Sequence, residues 1–189
     1  MRHLQHRALG AAFVAASGLG LVATQPIALF AQAASVTLLD YHSTVPAGWA
    51  TRTPGSTMRL AEYVTPAAEG ASPAEVVVYF FGKSQGGSVE TNTARWKAQF
   101  SNPDGSPVIE AVTRDSTGPF HIAVAEYRGT YARGIGAGSS PEQAKPGQML
   151  IAAIVETPKG TIYPQLFGPI ASVTAQREAF LRFVRGIKE

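Results

Sequence analysis

Apolar positions along this chain recur mostly with the two-residue period of a strand, and in two places with the period of a helix. Over 58–64, Met58, Leu60 and Val64 alternate with Arg59, Ala61 and Tyr63, with Glu62 the exception on the apolar side. Residues 75–81 are a short β-branched and aromatic run, which predicts a strand near the middle of a sheet, paired antiparallel with the one before it. At 108–114, Ile109, Ala111 and Thr113 oppose Glu110, Val112 and Arg114. At 120–131, Ile122 and Val124 oppose His121, Ala123, Ala125 and Tyr127, and Gly129 suggests a bulge. The stretch 148–155 is apolar nearly throughout and predicts another central strand, while 35–41 predicts a short first one. Residues 161–167 pair back across the Pro158-Lys159-Gly160 turn. Pro164 cannot donate to a ladder, so this strand should be bulged or turn its unpaired side outward.

Turn chemistry separates these blocks. It is concentrated at 46–56, 66–73, Asn102-Pro103-Asp104-Gly105 and 115–119. Trp49 lies in the first of these and is expected to pack over an edge of the core. The longest loop, 132–147, is built of glycine, serine and proline, and loops of that length inside a domain are mobile or functional. Arg133 and Lys145 on it can reach toward a partner.

The helical blocks are 82–100 and 172 to about 186. In the second, Val173, Gln176, Phe180, Phe183, Val184 and Ile187 form the inner face, and Arg182, Arg185 and Lys188 suit the dipole at its end. In the first, Val89, Thr93, Trp96 and Phe100 share one stripe, Ser88 is placed to cap, and Glu90 suits the positive end. Asn92, Arg95 and Gln99 form a polar ridge beside that stripe. The preceding loop holds Gly82, Lys83, Gly86 and Gly87. Glycines before a helix start can bring free amides to an anion, with Lys83 adding charge and Arg95 gripping a carboxylate in two-pronged fashion. The simpler reading is a sharp strand-to-helix turn, capped by Ser88, with the ridge bonding neighbouring backbone. The string is not a nucleotide-binding phosphate loop, because position 77 is valine where that motif needs glycine.

Charge and composition place the chain in a compartment. Arg2, His3, His6 and Arg7 precede an apolar stretch from Ala8 to about Ala23, and Ala31-Gln32-Ala33 reads as a cleavage site. Residues 1–33 are therefore expected to be a signal peptide, and 34–189 a single periplasmic or secreted domain without a stable membrane span. There is no cysteine, which excludes a lipid-anchored lipoprotein and a disulfide framework. When Arg2 and Arg7 leave, the sixteen basic residues fall to fourteen against thirteen acidic ones, a formal +1. They are scattered, so no nucleic-acid surface is expected.

The series Pro46-x-Gly48-Trp49, Met58-Arg59-Leu60-Ala61, Gly86-Gly87-Ser88, Asn92-x-x-Arg95-Trp96-x-x-Gln99-Phe100, Gly129-Thr130-Tyr131 and Phe167-Gly168-Pro169 resembles a group of uncharacterised exported bacterial proteins. Their order of elements is similar to the Mog1/PsbP-like fold. The resemblance implies an α/β/α sandwich, an antiparallel sheet of six or seven strands flanked by two helices. It implies no activity, since fold does not confer function.

Candidate chemistry is sparse. Outside the leader the only histidines are His42 and His121. Gly82-Lys83-Ser84-Gln85-Gly86 has the letters of a nucleophile elbow between a strand and a helix, which would make Ser84 a nucleophile and His121 its base, with Asp115 the nearest intervening acid. Against this, Gly86-Gly87-Ser88 prolong the loop. Asp40 and His42 with His121 are too few and too dispersed to predict a metal site, and no cofactor fingerprint is present. The expectation is an exported binding or accessory module that takes a small anion or an envelope protein partner at Lys83, Gly86, Gly87, Ser88, Asn92, Arg95 and Gln99. The alternatives are a small serine hydrolase and a structural envelope protein.

Overall fold

The apolar run at 148–155 becomes the spine of the molecule, a strand buried on both faces. In the computed structural model, residues 34–132 and 144–189 are described; they belong to one unit, Gln32–Glu189. The leader expected at 1–33 and all but the ends of the 132–147 loop lie outside the described residues. The chain runs β1 (Ser35–Leu38), β2 (Tyr41–Thr44), β3 (Ala50–Arg52), β4 (Arg59–Val64), β5 (Glu75–Phe80), α1 (Val89–Lys97), β6 (Phe100–Ser101), β7 (Glu110–Thr117), β8 (Phe120–Tyr131), β9 (Lys145–Thr157), β10 (Gly160–Pro169) and α2 (Ile170–Arg185). β1 and β2 form a hairpin. The other eight strands form one antiparallel sheet in the order β3-β4-β5-β10-β9-β8-β6, with β7 also pairing β8. The fold is α+β, with a large antiparallel sheet and, among the described residues, two helices.

Side chains of β9 alternate between two cores. Met149, Ile151, Ala153 and Val155 join Ile122, Val124 and Leu166 under α2, whose Val173, Phe180, Phe183 and Val184 complete that layer. Leu150, Ala152 and Ile154 join Ala123, Ala125, Tyr127 and Tyr163 on the other face, where Trp96 of α1 and Phe100 cover them. A strand with two apolar faces needs a cover on each side, and a helix supplies each. The two faces read for β8 are those observed.

Several expectations need correction. The sheet has eight strands and the hairpin two more, because β2, β3 and β6 are too short to leave a periodic signal. The first strand is a hairpin that turns at Leu39, whose φ is +59°. β7 extends through Thr117, leaving Gly118 and Pro119 as its turn. In β4 the buried positions are Ala61 and Tyr63, and Met58 is 51% exposed; the register shifts between Arg59 and Ala61, and a one-residue slip exchanges the faces of a strand. β10 lies centrally between β5 and β9. Its pairing with β9 lapses at Tyr163 and Pro164 and resumes in the same register at Gln165, so the missing donor interrupts the ladder without a bulge. α2 begins at Ile170, and Leu181 joins its buried face. The bulge expected at Gly129 is present, between Gly129 and Tyr131.

Trp49 packs where expected. Its ring lies 5.6 Å from Phe183 and 5.7 Å from Tyr63, and its Nε1 donates to Gln176 at 3.0 Å. The hairpin closes the end of α2, with Ser43 Oγ donating to the Phe183 carbonyl at 2.6 Å and the His42 amide to the Lys188 carbonyl at 2.8 Å. The first donor satisfies a carbonyl that the helix end leaves free, and the second closes an antiparallel bridge just beyond the helix. Phe183→Ala is expected to cost about 3–5 kcal/mol, measured by urea unfolding, with loss of the near-ultraviolet dichroism of Trp49.

Candidate functional site

Residues 82–88 enter α1 through a loop whose carbonyls turn inward. Asn92 is 1% exposed, and its Nδ2 donates to the carbonyls of Gly86 at 2.7 Å and Ser88 at 2.9 Å. The Tyr163 hydroxyl lies 3.2 Å from the Gln85 carbonyl and 3.3 Å from that of Gly87. Gly86 has φ +97°, and a Cβ there would fall 2.6 Å from the Tyr163 ring. Only glycine fits both the backbone and the approach. Burial pushes the Tyr163 phenol above its ordinary value, so it stays a neutral donor.

This arrangement redistributes the expected site. The buried pair on α1 is Asn92 and Trp96; Val89 and Thr93 are half-buried, and Phe100 belongs to β6. Ser88 caps as expected, its Oγ accepting from the Thr91 amide at 3.2 Å. Asn92 is committed to the loop, and its Oδ1 accepts from exposed Arg95, which has no ion-pair partner among the described residues. The helix start already holds a carboxylate. The amide of Glu90 and the Ser88 hydroxyl beside its carboxyl, and then Arg114, which donates to it at 3.1 Å, hold that carboxyl below the ordinary range. An external anion would compete with it. Lys83 and Gly87 are exposed on the loop. Ser84 has φ +62°, a strained position of the kind an elbow needs. However, His121 Nδ1 faces Ser116 Oγ at 3.5 Å, and no hydrogen bond joins it to Ser84 among the described residues.

Gln99, the end of the ridge, lines something larger. Helix α1 has nine residues and leaves part of its sheet face bare. There a cleft of about 670 Å³ opens over Val77 and Tyr79 of β5, Gln165 and Phe167 of β10, and Leu150 of β9. Tyr131 and Lys145, at either end of the 132–147 loop, line it with Gln99. An aromatic chain forms one wall: Phe100 lies 5.3 Å from Tyr131, and Tyr131 4.5 Å from Phe167. Arg59 and Glu75 stand at the other side. Glu75 pairs with Arg52 at 2.8 Å. Arg59 lies 5.6 Å over the Tyr79 ring and pairs with Glu62 at 2.9 Å. That leaves Lys145 as the lining cation without an ion pair among the described residues. The volume and the mixture of apolar floor with few polar groups are those of small-molecule sites.

A second depression of about 570 Å³ is lined by Val89, Arg114, Ser116, His121 and Glu156. Ser116, His121 and Glu156 face one another across β7, β8 and β9. No group of three or more possible metal ligands is close enough to hold an ion among the described residues, and none of the described helices is long and apolar enough to cross a membrane.

The cleft residues Tyr79 and Gln165 were not singled out from the sequence, and Arg59 and Phe167 entered only through the motifs of the resemblance, not as candidate site residues. The usable signal was Gln165, a lone amide in an otherwise apolar stretch of β10.

No known protein family matches the chain, and no curated protein matches it. Among solved structures it is similar to the crystal structure of a protein of unknown function from Pseudomonas aeruginosa, described as a putative regulator. The two are 12% identical over 83% of this chain and 96% of that one, with a TM-score of 0.47.

Removing the Asn92 amide strands two carbonyls, so Asn92→Ala is expected to cost roughly 1–3 kcal/mol. Arg95→Ala, at an exposed position, should cost about 0.5 kcal/mol or less. Chemical denaturation of both variants checks the order. A pH dependence follows from Glu62, which the Gly55 amide at 2.6 Å and then Arg59 hold below its ordinary value of 4.5. Its contribution is present above that value and is lost as pH falls through the lower folded value. The acid-induced drop in melting temperature should therefore be smaller in Glu62→Gln than in the unaltered protein.

Proposed function

We propose that this chain is an exported, non-catalytic binding module of the cell envelope, and that its ligand is a small molecule with an apolar body and an anionic end. The cleft beside α1 carries this reading. Its floor offers aliphatic and aromatic surface for an apolar body, and its rim offers two amides and Lys145, which has no ion pair among the described residues, for the charged end. The leader-like first residues and the resemblance to exported proteins support the location. The ridge contributes through Gln99, while Asn92 and Arg95 support the loop behind it. The positive φ of Ser84 is the single feature that favours the serine-hydrolase alternative with His121. The buried bonding of Asn92 is what a purely structural envelope protein would also show.

Thermal unfolding against a panel of fatty acids and aromatic carboxylates tests the reading. A ligand at a hundred times its dissociation constant stabilises by about 2.7 kcal/mol, or roughly 5–10 °C for a domain of this size. Lys145→Ala should shrink the shift, Val77→Trp should abolish it by filling the floor, and Arg95→Ala should leave it. No shift with any compound, or one that Val77→Trp leaves intact, would count against the cleft. Ester hydrolysis that disappears in Ser84→Ala would favour the hydrolase.

A further inference from the structure

The two edges of the sheet are unequal. β3 closes one edge with three residues. At the other, β7 runs eight residues, pairs β8 on one side without a register shift, and has no proline. Proteins blunt long edges with bulges, prolines, short strands or charged side chains, because an open row of amides and carbonyls templates another strand. β7 carries none of the first three, and its charges, Glu110, Arg114 and Asp115, are of both signs. Among the described residues the exposed large hydrophobics are Met58, Ile109 and Val112, and the last two lie in or beside this strand.

We propose that β7 pairs antiparallel with β7 of a second copy of this chain, about a two-fold axis at Val112. In that register Glu110 faces the second copy's Arg114, and by symmetry the pair occurs twice. Ala111 faces Thr113, and Val112 faces itself. Moving the axis by one residue to Thr113, the nearest shift that keeps each face of the sheet continuous, would instead set Glu110 against Ser116 and Arg114 against Val112, and no charge pair would cross the junction. Opposite charges directly across a ladder stabilise it, and like charges do the reverse.

Glu110, Val112 and Arg114 all project on the α1 face, opposite Tyr127, Ala125 and Ala123 of β8. Within one copy, Lys97 of α1 pairs with Glu110 at 3.0 Å, and Glu90 pairs with Arg114 at 3.1 Å. In the dimer these join into rows of alternating sign: Lys97, Glu110, then the second copy's Arg114 and Glu90. A partner strand of unrelated sequence would have no reason to continue that alternation, so the charges select a second copy.

Light scattering coupled to size exclusion, on the protein produced from its full-length sequence over a wide concentration range, tests the proposal. A monomer–dimer equilibrium is expected. Glu110→Arg or Arg114→Glu alone should weaken the dimer by about tenfold or more. The double exchange should restore it to within about threefold. Inside one copy that exchange sets Arg against Lys97 and Glu against Glu90, so a rescue can come only from across the interface. Because Glu110 also bonds Tyr127, Val112→Lys serves as the second variant; it should yield a monomer with an unchanged circular-dichroism spectrum and a melting temperature independent of protein concentration. A monomer at every concentration, a dimer indifferent to Val112→Lys, or a double exchange no better than the single ones would overturn the proposal.

Discussion

The structure depends on a strand that is apolar on both faces. β9 cannot leave either side in water, so the sheet must be covered twice, and the two covers are unequal in length. α2 has sixteen residues and seals its face with the help of the β1–β2 hairpin and Trp49. α1 has nine and seals only the part of its face over β8, β9 and the start of β10. The remainder, where β5 and the end of β10 meet β9, becomes the cleft. Its concavity is thus a consequence of helix length.

The short helix needs more than its apolar contacts to stay docked. Its burial rests on Trp96, while Asn92 and Tyr163 hold the entering loop by its carbonyls. The Tyr127 hydroxyl ties α1 to the sheet from below, 3.0 Å from the Thr93 carbonyl and 2.8 Å from the Glu110 carboxylate. Burial and that carboxylate push the Tyr127 phenol well above its ordinary value. Burial pulls Glu110 upward, but Tyr127 and Lys97 outweigh it and leave its carboxyl lowered. Each group therefore stabilises the protonation state that the other needs. Polar side chains on this face act as fasteners where apolar area is scarce.

Much of this was legible in the sequence where one force dominated. The faces of β8, the inner positions of α2 and the cap at Ser88 follow from periodicity and from a single hydroxyl in the right place. Pattern failed where two rules competed. Met58 to Val64 alternates apart from Glu62, yet a register shift exchanges its faces. Pro164 argues for an edge, yet apolar neighbours on both sides draw β10 to the centre and the sheet tolerates a local lapse in pairing. Of the two readings of the ridge, a ligand contact or bonds to neighbouring backbone, Asn92 shows the second; the choice was open in the sequence because backbone carbonyls carry no sequence signature. The cleft was illegible for the same reason: it is made by what α1 fails to cover, and an uncovered valine or tyrosine reads the same as a buried one.

The edge strand and the cleft share a face but lie at opposite sides of it. The cleft spans β5, β10 and β9, whereas β7 lies beyond β8. Extending the sheet through β7 would therefore leave the cleft open in each copy, and α1 would stand between the cleft and the junction. The helix and the residues just after it divide accordingly: Gln99, two residues past the end of α1, lines the cleft, while Glu90 and Lys97 pair with the charges of β7. One nine-residue helix, fixed by Asn92 and Trp96, thereby sets where the cleft begins by where it ends, and the charge pattern of an edge with its flank. Loosening that helix should disturb both surfaces together, whereas a change on β7 or in the cleft floor should disturb only one.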